Sequence, residues 1–175
     1  ISLTQSFSYN FYKNDFIPGI KGELQAFKSL KYLGLCTDIY MFAYLNGTEK
    51  IGGRLRGIRD DQYFSSESGE SQLYACETPA AIVINFDIPI KLFATNWSKV
   101  PLINKISLMK YFNFELQVSP FIDISLGYNR YTKRFFHPRD GFYTAGLELL
   151  VYPLKWSSFT VRGCLGVDMG RLLNI

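Results

Sequence analysis

Apolar and polar side chains alternate along most of this chain, and the alternation divides it into elements. Over residues 1–11 one parity carries Ile1, Leu3, Phe7, Tyr9 and Phe11, interrupted at Gln5, while the other carries Ser2, Thr4, Ser6, Ser8 and Asn10. A period of two with such unequal sides predicts a two-faced β-strand. The segment 79–91 repeats the scheme, with Ile82, Ile84, Phe86, Ile88 and Ile90 opposing Asn85 and Asp87. From Phe112 through Phe114, Leu116, Val118, Pro120, Ile122, Ile124 and Leu126 to Tyr128 the apolar parity is unbroken, against Asn113, Glu115, Gln117, Asp123 and Ser125. Pro120 has no N–H to give to a ladder, so it marks a bulge, an edge or a turn that splits this run. Residues 142–152 set Tyr143, Ala145, Leu147, Leu149 and Val151 against Thr144, Gly146 and Glu148. Residues 158–169 set Phe159, Val161, Leu165, Val167 and Met169 against Thr160, Arg162, Cys164 and Asp168. Weaker candidates lie near 20–30 and 32–45, the latter with Leu33, Leu35, Ile39 and Met41 facing away from Gly34, Cys36, Asp38 and Tyr40. About seven or eight strands are predicted. Their connections are short near 13–19 and 153–158, and long and polar at 46–78, 92–105 and 129–141.

The predicted class is all-β and antiparallel, and composition agrees. The chain has 175 residues, enough for one domain, and a 47% hydrophobic share with 19% charged residues excludes a disordered chain. An aromatic share of 17%, with 14 Gly, favours strands and tight turns. No window approaches the length of continuous apolar sequence that a membrane-spanning helix needs. Alternation does not say which face meets water: a soluble barrel or sandwich buries its apolar face, while an outer-membrane barrel turns that face to lipid. The runs have the length, about 9–11 residues, of a tilted strand crossing the hydrocarbon layer. Aromatic residues gather near their ends, among them Tyr9, Phe11, Tyr111, Phe112, Tyr128, Phe142, Tyr152 and Trp156, as interfacial girdles do. Those features favour the transmembrane barrel.

Charge and candidate chemistry narrow the functions. Nineteen Lys and Arg against fifteen Asp and Glu give +4, small and scattered, so no nucleic-acid partner is expected. Cys36, Cys76 and Cys164 form no CxxC pair and have no His at metal-ligand spacing, so no metal site is expected; a Cys36–Cys76 disulfide stands beside the simpler reading of small buried residues. The single histidine, His137, lies in a basic loop, Arg130 to Asp140, without a recognisable nucleophile or triad. That loop offers a weak electrostatic surface to anionic lipid head groups. Glu115 with Asp123, or Glu148 with Asp168, can be drawn as a glycosidase-like pair, but solvated polar-face residues explain them more simply. No phosphate loop or dinucleotide fingerprint occurs. A non-enzymatic protein without catalytic residues or cofactors is expected. No internal repeat or interdomain linker is evident, and an opening of Ile-Ser-Leu-Thr, without Met or signal peptide, reads as a fragment or processed product.

One constellation is more specific. Ile51-Gly-Gly-Arg-Leu-Arg-Gly-Ile58 follows a strand-like run and opens a long loop containing Asp60, Asp61, Glu67 and Glu70. Gly52, Gly53 and Gly57 permit a sharp bend and close packing, and Arg56 sets a planar five-donor group at that bend. After it come the strand Ala81–Ile90 and, one strand further on, Pro-Phe-Ile-Asp-Ile-Ser-Leu-Gly at 120–127. This order resembles the carboxy-terminal barrel of the bacterial surface-antigen, or BamA-like, superfamily of outer-membrane assembly and translocation proteins. In that family a loop with a (Val/Leu)-Arg-Gly-(Phe/Tyr) tip folds back into the barrel lumen. Leu55-Arg56-Gly57 matches its first three positions, and Ile58 stands where an aromatic is usual. The inward Phe-x-Asp-x-Gly strand is similar to Phe121-x-Asp123-x-Ser125, with Ser125 in place of Gly.

The resemblance, over roughly residues 33–170, implies an Arg56–Asp123 latch. A long loop loses considerable entropy on ordering, and a charge-assisted, bidentate bond offsets that loss. The strand count, about three before the latch loop and four or five after it, resembles the second half of the family's sixteen-strand barrel. An isolated half would leave two unpaired edges in lipid, so the expectation is either that the other half lies outside this chain or that the chain closes as a small eight-stranded barrel. The resemblance further implies residence in the bacterial outer membrane. Its implied partners are the lipid bilayer, unfolded outer-membrane or secreted polypeptides and assembly-complex subunits, with no periplasmic domain in the chain. The alternative is a soluble or periplasmic lipocalin-like barrel for a small apolar ligand, although its early Gly-x-Trp is absent.

Overall fold

The computed structural model describes residues 2–10, 15–57, 63–65, 71–73, 77–100, 105, 112–129, 132–155 and 160–172. In chain order the strands are β1 (Ser2–Asn10), β2 (Asp15–Ser29), β3 (Gly34–Tyr44), β4 (Glu49–Lys50), β5 (Tyr63–Ser65), β6 (Ser71–Leu73) and β7 (Glu77–Thr78). They continue with β8 (Ala80–Asp87), β9 (Ile90–Ala94), β10 (Phe114–Asn129), β11 (Arg134–Phe135), β12 (Phe142–Pro153) and β13 (Val161–Asp168). One short helical turn, α1 (Met169–Leu172), follows β13. No helix among the described residues is long and apolar enough to cross a membrane.

The architecture is all-β and antiparallel. One sheet has the order β1-β2-β3-β8-β10-β12-β13, with β9 and β11 also pairing β10. Two small hairpin-like pairs, β4–β7 and β5–β6, belong to the long connection between β3 and β8. The strong alternating runs all become strands, and two prolines account for the main departures in their limits. β2 begins at Asp15, inside the expected connection near 13–19. Its Pro18 lies opposite Leu45, whose N–H donates to the Pro18 carbonyl at 3.1 Å, one residue beyond the end of β3. Because N and C=O of a strand residue point the same way, the missing donor of Pro18 falls where β3 has already ended. Pro120 likewise does not split β10. It receives the N–H of Ile88 at 3.0 Å at the joint where the partner of β10 changes from β8 to β9, so its missing donor falls at a break in the neighbouring strand.

The sheet formed by the described strands is open, and no closed barrel, of eight strands or otherwise, is formed among them. Every neighbouring pair in the sheet order is antiparallel, so β1 and β13, its two ends, run in the same direction. Joining them with antiparallel pairs alone takes an odd number of additional strands.

Register gives each face its composition. One row crosses β2, β3, β8, β10, β12 and β13 as Ala26, Thr37, Phe86, Ile122, Ala145 and Val167. The next row lies on the opposite face: Gln25, Asp38, Asn85, Asp123, Thr144 and Asp168. Burial runs against the usual sense. Ile20, Met41, Ile122, Leu147, Leu149 and Leu165, all on the apolar face, are exposed, Leu165 by 79%. Ser119, Asp123, Ser125, Thr144 and Glu148, on the polar face, are buried.

The polar face is covered because the β3–β8 connection lies across it. Ile51 and Leu55 of that connection pack with Tyr40, Phe42, Ala81 and Val83 into the principal apolar cluster, flanked by Tyr44 and Phe142. Burying such side chains contributes roughly 1.5–3 kcal/mol each, and it fixes the connection over β3 and β8.

Candidate functional site

The folded-back connection is built from local chemistry. β4 pairs β7 at its base, and a tight helical turn over Gly52–Arg54 follows, with Arg54 N–H donating to Ile51 and Leu55 N–H to Gly52, both at 3.0 Å. Gly52 is buried, whereas a Cβ on Gly53 would meet open space. Gly57 has φ +88°, and a Cβ there would stand 2.7 Å from the Gly166 backbone on β13. This position therefore needs glycine twice, for its left-handed backbone and for its close approach. Gly166 is constrained by the close approach alone, since its own Cβ would lie 2.9 Å from the Arg56 carbonyl.

That turn delivers Arg56 to the polar row. Its backbone N–H and Nε donate to Asp123 Oδ2 at 2.8 and 3.1 Å, and Nη2 donates to Asp123 Oδ1 at 2.5 Å. Nη1 bonds Asp87 and lies 3.6 Å from Glu148 Oε2. The guanidinium carbon sits 3.9 Å from the centre of the Phe121 ring, a cation–π contact on the same strand as Asp123. Asp123 is 0% exposed and also accepts from Thr144 Oγ1 at 3.3 Å. Glu148 is held from its other side by Arg162, through Nε and through Nη2 at 2.9 Å. Three carboxylates, Asp87, Asp123 and Glu148, thus surround two guanidinium groups, Arg56 and Arg162, leaving one net negative charge. Burial alone would lower the affinity of Arg56 for its proton, but bonds to Asp123 and Asp87 outweigh it and raise the pKa further. The guanidinium is permanently charged and serves as a structural cation.

Two further groups of contacts, around Arg54 and around Glu49, brace the loop. Arg54 lies 3.4 Å over the Tyr40 ring and 3.7 Å from Glu23, and Asn85 Nδ2 donates to the Arg54 carbonyl at 2.8 Å. At the base, the Glu49 carboxylate accepts from Tyr40 and Tyr44 hydroxyls at 2.6 and 2.8 Å and pairs with Lys21 at 2.6 Å. Burial would raise the Glu49 pKa, and the bonds from Lys21, Tyr40 and Tyr44 more than reverse it, leaving it below the usual carboxylate value.

Of the residues singled out from sequence, Gly52, Gly53, Leu55, Arg56 and Gly57 occupy this turn, and Phe121 and Asp123 meet Arg56. Ser125 is buried on the same face, its hydroxyl unpartnered among the described residues, and it does not bond the arginine. Ile58 lies outside the described residues, as do Cys76, Trp156, Asp60, Asp61, Glu67 and Glu70. Cys36 and Cys164 are free thiols. His137 caps a short turn at Pro138–Asp140, its Nδ1 accepting from the Arg139 N–H at 3.3 Å. Asp87, Glu148, Arg162 and Gly166 were not singled out for this cluster. Each sits on the polar parity of its run, but only the strand register brings them together.

Beside the cluster, a cavity of about 520 Å³ is lined by Phe27, Asp87, Ser119, Glu148, Leu150 and Arg162, among others. No group of three or more His, Cys, Asp or Glu among the described residues is placed to hold a metal ion. The arrangement holds a loop against a sheet through charge-assisted bonds.

No family model matches this chain, and searches of curated proteins and of solved structures likewise find no match. The surface-antigen resemblance therefore stands on the residues alone.

Proposed function

We propose that this chain is part of an outer-membrane β-barrel of the surface-antigen type, acting in the insertion of other outer-membrane proteins or in the passage of a polypeptide across that membrane. The observation that carries the proposal is the inversion of the sheet: large aliphatic side chains stand exposed on one face while carboxylates and hydroxyls are buried on the other. A sheet in water gains stability by the opposite arrangement, and a strand that turns one face to lipid gains it by this one. A lipocalin-like calyx for an apolar ligand needs an apolar inner face, which the row Gln25, Asp38, Asn85, Asp123 and Thr144 does not provide.

The surface-antigen type is favoured over other barrels by the loop that crosses the polar face and ends in Leu55-Arg56-Gly57 against Asp123. In this reading the barrel closes through strands additional to those described, and the latched loop occupies its lumen. Releasing Arg56 frees the loop, and an incoming strand adds by β-augmentation to an edge of the barrel wall. Its partners are then the bilayer, unfolded outer-membrane or secreted polypeptides, and the subunits that deliver them.

Thiol accessibility in native membranes tests the proposal, in a background without Cys36, Cys76 and Cys164. Cysteines at Ile122 and Ile124 should react only with a lipid-soluble reagent, and those at Gln117 and Asn85 with an aqueous one. Aqueous labelling at Ile122 and Ile124, with the protein in the soluble fraction, would overturn it.

A further inference from the structure

The hairpin between β10 and β12 carries exposed groups that nothing in the sheet or the loop uses. Phe135 pairs with Tyr128, their rings 4.6 Å apart, and Phe136 lies 6.3 Å beyond. Tyr128 ends the apolar parity that runs up β10 through Ile122, Ile124 and Leu126, so this aromatic group continues the exposed apolar face to its rim. Phe135 is 64% exposed and Phe136 41%. Lys133 and Arg139 flank them in the turn, both exposed and without an ion-pair partner among the described residues, whereas Arg134, opposite Asn129, lies on the polar parity. The hairpin's one carboxylate in the described stretch, Asp140, accepts from the Thr132 hydroxyl at 2.8 Å.

The hairpin is held in this form. Lys133 and Phe136 adopt φ of 54° and 49°, a left-handed backbone that side chains bearing a Cβ disfavour. Phe136 N–H donates to Gly127 at 3.0 Å, and the Tyr143 hydroxyl to Pro138 at 2.7 Å, which bind the tip back to the strands. Two exposed aromatic rings are thus held at the tip, with Lys133 and Arg139 close to them in sequence.

We infer that this rim binds phosphate-bearing anionic lipid, with Tyr128, Phe135 and Phe136 at the level where head groups meet acyl chains and Lys133 and Arg139 on the phosphates. Aromatic rings favour that interface, and each basic residue close to an anionic surface strengthens attachment. The inference rests on the membrane reading above and goes beyond it by assigning a lipid class and the residues that select it.

The test uses the full chain with Trp97→Phe and Trp156→Phe and a single reporter, Phe135→Trp, folded into equimolar phosphatidylcholine and phosphatidylglycerol. Bromine is placed on the acyl chains of one lipid or the other. Quenching by the brominated phosphatidylglycerol should be the stronger, with each charge contributing up to about fivefold in lipid preference. K133Q/R139Q should bring the two lipids to parity. Equal quenching before those substitutions, a preference unchanged by them, or a preference erased by inorganic phosphate would each overturn the inference. A second reporter, Phe136→Trp, serves if the first fails to fold. A control reporter at Leu147→Trp, on the exposed apolar face, separates the failures. If it is quenched while both rim reporters stay unquenched, the rim assignment alone fails; if none is quenched, the membrane reading fails as well.

Discussion

Ile122 and Asp123 are consecutive on β10, yet the isoleucine is 51% exposed and the aspartate 0%. They show the two faces of the sheet in miniature. The apolar face is left open, and the polar face is closed over by a loop whose arginine answers its carboxylates. In a water-soluble sheet the hydrophobic effect decides which face is covered. Here the covered face holds the small cluster of Ile51, Leu55, Tyr40, Phe42, Ala81 and Val83, while its other half, where Phe121 and Leu150 are also buried, is held by charge. The difference teaches that one pattern of alternation is compatible with two opposite solvents, and that the covering loop is what distinguishes the faces.

The largest expected effect lies on the covered face. Arg56→Ala leaves Asp123, Asp87 and Glu148 as neighbouring carboxylates with one guanidinium lost. Breaking a buried pair in this way costs about 3–5 kcal/mol. Asp123→Ala should cost less, because Asp87 and Glu148 still partner the arginine. The double variant should be little worse than Arg56→Ala alone. Urea unfolding of the protein in lipid vesicles measures all three, and additive effects would sink the latch.

Next in size is a test on the open face. Ile122→Arg places a charge on an exposed position. With lipid outside, a charge near the bilayer midplane costs roughly 2–4 kcal/mol. With water outside, a surface substitution stays within about 0.5 kcal/mol. The same unfolding measurement therefore distinguishes the solvents, and a neutral Ile122→Arg would break the comparison between faces.

The strands were legible because a period of two survives in the local sequence: the run from Phe114 to Tyr128 needs no tertiary information to be seen as two-faced. The beginning of β2 was not, since Pro18 and Gly19 look like a turn until the end of β3 at Tyr44 shows that the missing N–H of Pro18 falls beyond that strand. Arg56 and Asp123 were legible as a pair through the order of two short motifs. Asp87, Glu148 and Arg162 were visible only as polar positions, because which of them face one another depends on register across β8, β10, β12 and β13. Gly166 had no local signal at all. Its need for glycine arises from the Arg56 backbone, over a hundred positions away in sequence.

The glycines of the turn give a smaller and sharper test. Gly57→Ala forces a Cβ into a left-handed residue and against the Gly166 backbone, a strain of about 1–3 kcal/mol. Gly53→Ala meets nothing within 4 Å and should stay within about 0.5 kcal/mol of the parent protein. Equal effects at the two positions would mean that the loop tip does not rest on β13.

The smallest expected effect separates the base of the loop from its tip by pH. The Glu49 pKa is lowered from 4.5 in the folded protein, chiefly because the bonds from Lys21, Tyr40 and Tyr44 overcome the burial that would raise it. A carboxylate with a depressed folded-state pKa contributes stability that is fully present above its unfolded value and is lost as pH falls through the folded one. The base should therefore loosen only below about pH 4.5, and modestly, since Glu49 and Lys21 keep 23% and 32% side-chain exposure and water screens the pair. Arg56 keeps its proton throughout that range, its own pKa being raised by Asp123 and Asp87. Hydrogen exchange of the Thr48–Lys50 amides, followed from pH 6 to pH 3, should show protection falling at the base before it falls at Arg56. Glu49→Gln should remove most of that pH dependence at the base. If the two ends of the loop lose protection together, Glu49 is not an independent anchor, and the loop is held as one unit by the arginine.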